Sequence, residues 1–207
     1  MIKKLINKQA RRIPVTIIYV IGILPFLFYL YLTLTNQLGA DPVKTLEKEL
    51  GERGIQFLIA TLAITPLLKI FRINLMKFRR SLGLLSFFYI AFHFIVWTVL
   101  DKQFYWPEII KDIFTRPYLT FGILSLLLII PLAITSNNKS IRHMGFKNWN
   151  YLHMLFYPSI FFGGMHYMLS TKVWEVKPII YFSFIILLLL TRIPLKEYYK
   201  KGLVKTI

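Results

Sequence analysis

Leu82-Gly83-Leu84-Leu85-Ser86-Phe87-Phe88-Tyr89-Ile90-Ala91-Phe92-His93-Phe94-Ile95-Val96-Trp97-Thr98-Val99-Leu100 runs for 19 residues with no Asp, Glu, Lys or Arg, and with one histidine. As a helix it rises about 1.5 Å per residue, which carries it across a hydrocarbon core of about 30 Å. A helix apolar around its whole circumference must be buried in a large protein or in lipid. The chain has 207 residues, of which 56% are hydrophobic and 16% aromatic. A soluble domain of that size has too little interior for so much apolar surface.

Five further apolar stretches flank this one, at roughly 14–34, 54–71, 118–135, 151–169 and 178–195, and 82–100 is the third in order. None of the six contains Asp or Glu. The sequence therefore predicts an all-α integral membrane protein, a six-transmembrane-helix bundle forming one domain over 1–207. The polar stretches between spans are shorter than about 20 residues, against the roughly 50 that a small soluble domain needs. Any chemistry takes place in the membrane, at its surface or on a partner.

The net charge is +17, from 26 Lys and Arg against 9 Asp and Glu. Eighteen of the cations fall on the N-terminus, on the segments 69–80 and 136–149 and on the C-terminal tail, with Glu197 as the only acid there. The segments 36–53, 101–117 and 170–177 hold the other 8 cations and 8 acids, and so carry no net charge. By the positive-inside rule both termini are cytoplasmic. The basic start Lys3, Lys4, Lys8, Arg11, Arg12 resembles a secretory leader, but the apolar run after it is too long and no A-x-A-like site follows, so it reads as a retained helix. Scattered cations between apolar runs argue for topology and for attraction to anionic lipid headgroups, and against nucleic acid.

The chain has no cysteine. That excludes disulfides, thiolate iron–sulfur clusters, covalent c-type haem and a catalytic thiol. Two short helices are predicted on the outer side. One starts at Asp41 as N-cap with Pro42 first in the helix, and the other covers Trp106 to Ile113. Tyr105, Trp106, Tyr118 and Trp174 fit an interfacial aromatic belt.

Four histidines remain: His93, His143, His153 and His166. All but His143 lie inside predicted spans, where ionisable residues are functional candidates. His93 sits about 10 Å from the outer end of its span, and His166 lies near the outer end of the fifth. The two are therefore at similar depth on different helices. Paired neutral imidazoles facing across a bundle suit the axial positions of a haem iron. Gly163 and Gly164, just before His166, offer close approach to a flat macrocycle or to another helix.

His153 marks a second level near the inner surface. No histidine answers it on the third span, where Met76 to Ser81 carries Lys77, Arg79 and Arg80. The remaining partners are His143, Met144, Met154 or a different cofactor. Arg79, Arg80 and Lys77 suit a propionate or a flavin phosphate, and equally a topogenic role. On an ideal helix His153 and His166 point about 220° apart, with Pro158 between them able to rewind the turn. A zinc site, a Ser–His–acid set, a nucleotide loop and an acid-based ion carrier all lack their residues.

The order and spacing of several motifs are similar to the MsrQ (YedZ) family. They are Leu38-Gly39-Ala40-Asp41-Pro42-Val43, Thr65-Pro66-Leu67, Arg79-Arg80-Ser81-Leu82-Gly83-Leu84, Phe88-Tyr89 with His93, and Leu100-Asp101. Further along come Arg116-Pro117-Tyr118, Pro131-Leu132-Ala133 with Thr135-Ser136, Trp149 with Leu152-His153, and His166-Tyr167. The resemblance runs from about 14 to 195 and implies a ferric-reductase-like transmembrane protein of the bacterial inner membrane. It implies b-type haem, one or two, together with FMN, and haem ligation by His93, His153 and His166. It also implies a periplasmic molybdenum-dependent methionine sulfoxide reductase, MsrP, as electron acceptor, and the quinone pool or a cytosolic flavin reductase as donor. On that footing the chain is an electron-transfer subunit with no catalytic residue of its own. A stand-alone ferric or oxygen reductase and a non-redox membrane scaffold stay open as alternatives.

Overall fold

A computed structural model describes residues 2–171 and 175–192. The helices are α1 (Ile2–Arg12), α2 (Val15–Leu34), α3 (Pro42–Phe71), α4 (Arg79–Ile95), α5 (Trp106–Thr115), α6 (Pro117–Thr135), α7 (Asn138–Met144), α8 (Phe146–Leu152), α9 (Phe156–Leu169) and α10 (Val176–Leu190). No strand occurs among the described residues.

Four helical segments are long and apolar enough to cross a membrane: α2, α3, the run Met76–Asp101 that contains α4, and α6. α9 and α10 have only 14 and 15 residues. Both are shorter than the stretches expected at 151–169 and 178–195. A 3-10 turn, His153–Leu155, separates α8 from α9, and Pro158 in the first turn of α9 has no N–H to give. The last residues of the expected sixth span lie outside the described residues.

α3 brings a second correction. The predicted surface helix at 41–50 and the second span are one helix of 30 residues, about 45 Å long. Asp41 caps it by accepting the Lys44 N–H at 3.0 Å, and Pro42 occupies the first position, as the sequence predicts. Gly51 and Gly54 do not break the helix. Each lies where a side chain of α4 presses on the backbone, His93 at Gly51 and Ile90 at Gly54. At the far end Arg72 takes a left-handed conformation (φ 60°), and the Arg72 and Ile73 N–H groups close back on Leu68 and Leu67.

The core lies between α3, α6, α9 and α10 and contains Leu58, Leu62, Ile129, Ile160 and Ile185. The α6–α9 contact is tightened by two serines: Ser125 Oγ donates to the Ser159 carbonyl at 2.8 Å, and Ser159 Oγ donates to the Ser125 carbonyl at 3.0 Å. Small polar residues of this kind let helices approach closely in lipid. α2 packs against α4, yet Val20, Ile21, Leu24, Phe28 and Leu34 point outward and exposed, as a lipid-facing helix requires.

Pro25 interrupts the hydrogen-bond ladder of α2. Beside it, the Tyr89 hydroxyl inserts between two backbone groups that would normally pair. It accepts the Phe26 N–H at 3.0 Å and donates to the Gly22 carbonyl at 2.7 Å. Tyr89 is fully buried, so no water can take its place. Tyr89→Phe should therefore lower stability in detergent by about 1–3 kcal/mol, the typical effect of stranding a buried donor or acceptor. A thermal melt read by circular dichroism measures this, and an unchanged melt would show that α2 closes its own ladder.

Candidate functional site

α3 packs against α4, and α6 against α9, in the two most extensive helix–helix interfaces among the described residues. Each pair presents one histidine. His93 lies in the last turn of α4 and His166 in the last turn of α9. Their rings meet across the bundle with centroids 5.9 Å apart and planes at 70°.

The two imidazoles are held in the same way. His93 Nδ1 is 2.8 Å from the Glu47 carbonyl of α3, and His166 Nδ1 is 2.8 Å from the Tyr118 carbonyl of α6. A carbonyl only accepts, so each Nδ1 carries the proton and donates it. Each Nε2 is then left with its lone pair. A glycine one turn further along makes room for each ring. A Cβ on Gly51 would sit 2.9 Å from His93 Nδ1, and a Cβ on Gly122 would sit 2.8 Å from His166 Nδ1. Metal-binding histidines are characteristically oriented by such an Nδ1 bond to a backbone carbonyl.

Both rings line a cavity of about 480 Å³. Leu58, Ile90, Phe94, Trp97, Ile123 and Leu126 give it apolar walls. Beyond His93 the backbone widens into a π-helix, Val96–Asp101, which sets Trp97 in the wall and turns Asp101 to the mouth. There ion pairs form a rim: Lys44 with Asp101 at 2.6 Å, Lys102 with Asp112 at 2.7 Å, and Arg116 with Asp112 at 3.0 Å. A metal ion bound by two imidazoles at about 2.0–2.1 Å each places the ring centroids about 6 Å apart. The spacing, the unprotonated Nε2 atoms and the apolar walls fit a haem that His93 and His166 would hold.

An acid from the segment 36–53, expected to be an outer loop, also reaches this cavity. Glu52 lies within α3 and is only 4% exposed. Lys177 reaches it at 2.6 Å, and Gln56 donates to it at 3.0 Å. The buried charge is thus paired and hydrogen-bonded.

His153 belongs to the opposite end. Its Nε2 is 3.1 Å from Thr135 Oγ1, and its ring stacks on Trp149 at 3.9 Å. Trp149 in turn donates to the Thr135 carbonyl at 2.9 Å. His143 is exposed on α7, and Met154 is 51% exposed. Lys77 donates to the Arg11 and Ile13 carbonyls, and Arg80 to Asn138. Of the sequence candidates the fold therefore brings together His93 and His166, and leaves His153 apart from them.

Gly163 and Gly164 serve helix packing. A Cβ there would meet Ser125 at 3.1 Å and Phe182 at 2.8 Å respectively. The glycines that admit the histidines, Gly51 and Gly122, passed unremarked in the sequence. Their signal was a glycine four residues after a carbonyl that a distant histidine needs, which is visible only once the helices are paired. Tyr105 and Trp106 are exposed as an aromatic belt requires, while Tyr118 supplies the carbonyl for His166. Trp174 lies outside the described residues.

A helical membrane bundle holding two opposed imidazoles over an apolar cavity defines a class, and comparison with known proteins points to the same one. The family described as ferric reductase like transmembrane component matches residues 50–164. Proteins of Brucella ovis, Brucella canis and Brucella suis, each named protein-methionine-sulfoxide reductase heme-binding subunit MsrQ, are 45% identical over 177 residues, 86% of this chain and 80% of theirs. The chain belongs to the MsrQ family of ferric-reductase-like transmembrane proteins.

The rim makes a pH prediction. The Lys102 ammonium, donating to Asp112, holds that carboxyl below its ordinary value of 3.8. A carboxyl lowered in the folded state stabilises fully above its ordinary value, and loses that contribution as pH falls through the folded one. Wild type should thus melt above Asp112→Asn at neutral pH, with the gap closing below about pH 4. A gap that stays constant into strong acid would sink this assignment.

Proposed function

We propose that the chain is a haem b electron-carrying subunit that serves a methionine sulfoxide reductase. The observation that carries this reading is the pair of imidazoles, each with Nδ1 donated to a helix carbonyl and Nε2 turned to a shared apolar cavity. His93 and His166 are the residues proposed to hold it. When bound there, haem b would supply one-electron transfer. The chain's own residues fix the ring tautomers through the Glu47 and Tyr118 carbonyls, line the cavity with apolar side chains and close its mouth with ion pairs.

The direction of transfer follows from charge. In this reading the six apolar stretches all span a bacterial inner membrane, with both termini cytoplasmic and the His93–His166 cavity near the periplasmic face. The acceptor is a periplasmic reductase of the MsrP kind, and the donor is the quinone pool or a cytosolic flavin reductase. The donor meets the opposite end, where His153 and Trp149 stack and where Arg79 and Arg80 offer cations for a flavin phosphate such as that of FMN. His153 already has Thr135 and Trp149 as partners, which favours a role in receiving the donor over ligation of the His93–His166 site.

The test is the reduced-minus-oxidised visible spectrum of the purified protein and its variants. His93→Ala and His166→Ala should each lose most of the haem b signal, and His153→Ala should keep it. Gly51→Ala and Gly122→Ala should also weaken it, because the added methyl displaces the ring that the glycine admits. A colourless wild type, even when haem is supplied during expression, would overturn the assignment.

A further inference from the structure

α1 is left unused by the electron-carrying reading, and its pattern is specific. At about 100° per residue, Leu5, Ile6, Ala10 and Ile13 fall on one arc, and Lys3, Lys4, Asn7, Lys8, Arg11 and Arg12 on the other. The helix carries five cations and no acid. Ala10 is buried against the protein, whereas Leu5, Ile6 and Ile13 remain 58%, 37% and 39% exposed.

The bundle nonetheless holds α1 firmly. Asn7 donates to the Arg72 carbonyl at 3.0 Å and accepts the Asn74 N–H at 2.8 Å. Lys77 donates to the Arg11 carbonyl at 2.9 Å and the Ile13 carbonyl at 2.7 Å. These bonds use the backbone and one amide, so the cations of α1 stay free of them. Lys4, Lys8, Arg11 and Arg12 gather with Asn7 around one open hollow. The hollow lies at the end of the bundle opposite the histidine cavity, level with the 72–77 connection.

We propose that α1 is an in-plane membrane anchor whose apolar arc enters the bilayer interface while Lys4, Lys8, Arg11 and Arg12 seat the phosphates of anionic phospholipids. An amphipathic basic helix binds a bilayer through buried apolar area together with attraction to anionic lipid. Here the tether to Arg72 and Asn74 keeps the helix beside the bundle and leaves its apolar arc free to enter or leave the interface. Cationic charge without acids selects anionic headgroups over zwitterionic ones, and the exposed Leu5 and Ile6 distinguish a lipid surface from a dissolved anion.

The chain has no native cysteine, so a single Leu5→Cys substitution accepts an environment-sensitive fluorophore cleanly. The labelled full chain is reconstituted in bilayers of phosphatidylcholine or of phosphatidylglycerol. Shielded emission in phosphatidylglycerol, reversed toward water by high salt and weaker in phosphatidylcholine, is the expected result. Replacing Lys4, Lys8, Arg11 and Arg12 by glutamine should weaken the partition about fivefold per charge, and leave the Asn7 tether intact. Equal, salt-insensitive emission in both lipids would overturn the proposal, as would water-like emission in both. A shift produced by inorganic phosphate on the protein in detergent would overturn it too, by making the hollow a small-anion site. The salt arm needs no charge variant, so a misfolded variant does not remove the test.

Discussion

Two hydrogen bonds organise this molecule: His93 Nδ1 to the Glu47 carbonyl, and His166 Nδ1 to the Tyr118 carbonyl. Both carbonyls lie near helix starts, where they also serve the helix ladder. A carbonyl has two lone pairs and can take a second donor without giving up the first. The difficulty is steric, because an imidazole reaches a helical carbonyl only if the next turn has no side chain in the way. Gly51 and Gly122 meet that condition, which ties the choice of residue on one helix to the tautomer of a ring on another. Glycine inside a helix costs about 0.5–1 kcal/mol relative to alanine. That cost is offset here by an oriented imidazole that would otherwise be a buried polar group without a partner.

From this constraint the rest of the arrangement follows. Each bond joins the start of one helix to the end of its neighbour, so α3 pairs with α4 and α6 with α9 as antiparallel units. The Ser125–Ser159 clasp and the Gly163 contact draw α6 and α9 together below His166. The π-helix after His93 supplies the extra width that brings Trp97 inward and Asp101 toward Lys44. Two units built alike then face each other, and the space between their rings becomes the cavity. In lipid no hydrophobic force drives helices together, so such polar and small-residue contacts have an outsized part in deciding which helices meet.

Much of this was legible in the chain, and what was not has physical causes. The apolar run 82–100 declared a membrane helix, and depth counting placed His93 level with His166, because rise per residue is fixed. Asp41 and Pro42 declared a helix start, since capping is local. The continuity of α3 was hidden because Glu47, Lys48, Glu49, Glu52 and Arg53 read as loop charges. Glu52 and Arg53, the last two of these along the helix, are accommodated by partners distant in sequence: Lys177 for Glu52 and Tyr29 for Arg53. No local signal announces those partners. The helical arc of α1 was hidden in the same way, its cations having been read as topology, as general attraction to anionic headgroups and as a leader-like start, and not as one face of a helix. The rewinding at His153 was foreseen as a possibility of Pro158, and the 3-10 turn just before it separates the two histidine levels.

The two ends of the bundle therefore solve opposite problems. At the cavity end the acids and bases pair off: Lys102 is held between Glu108 and Asp112, and Lys48 reaches Glu175. Little net charge is left there, and an apolar interior persists close to the surface. At the other end Lys4, Lys8, Arg11 and Arg12 line a hollow without an acid among the described residues, and Trp149 and His153 stack at the surface of the bundle. On the proposed electron-carrying reading, donor and acceptor meet the bundle at these two ends. An excess of cations suits an anionic lipid surface and a phosphate-bearing donor, while a charge-balanced rim is selective only for a partner whose own charges match its pattern. That asymmetry gives the two helix units distinct ends, although the two histidine bonds within them are alike.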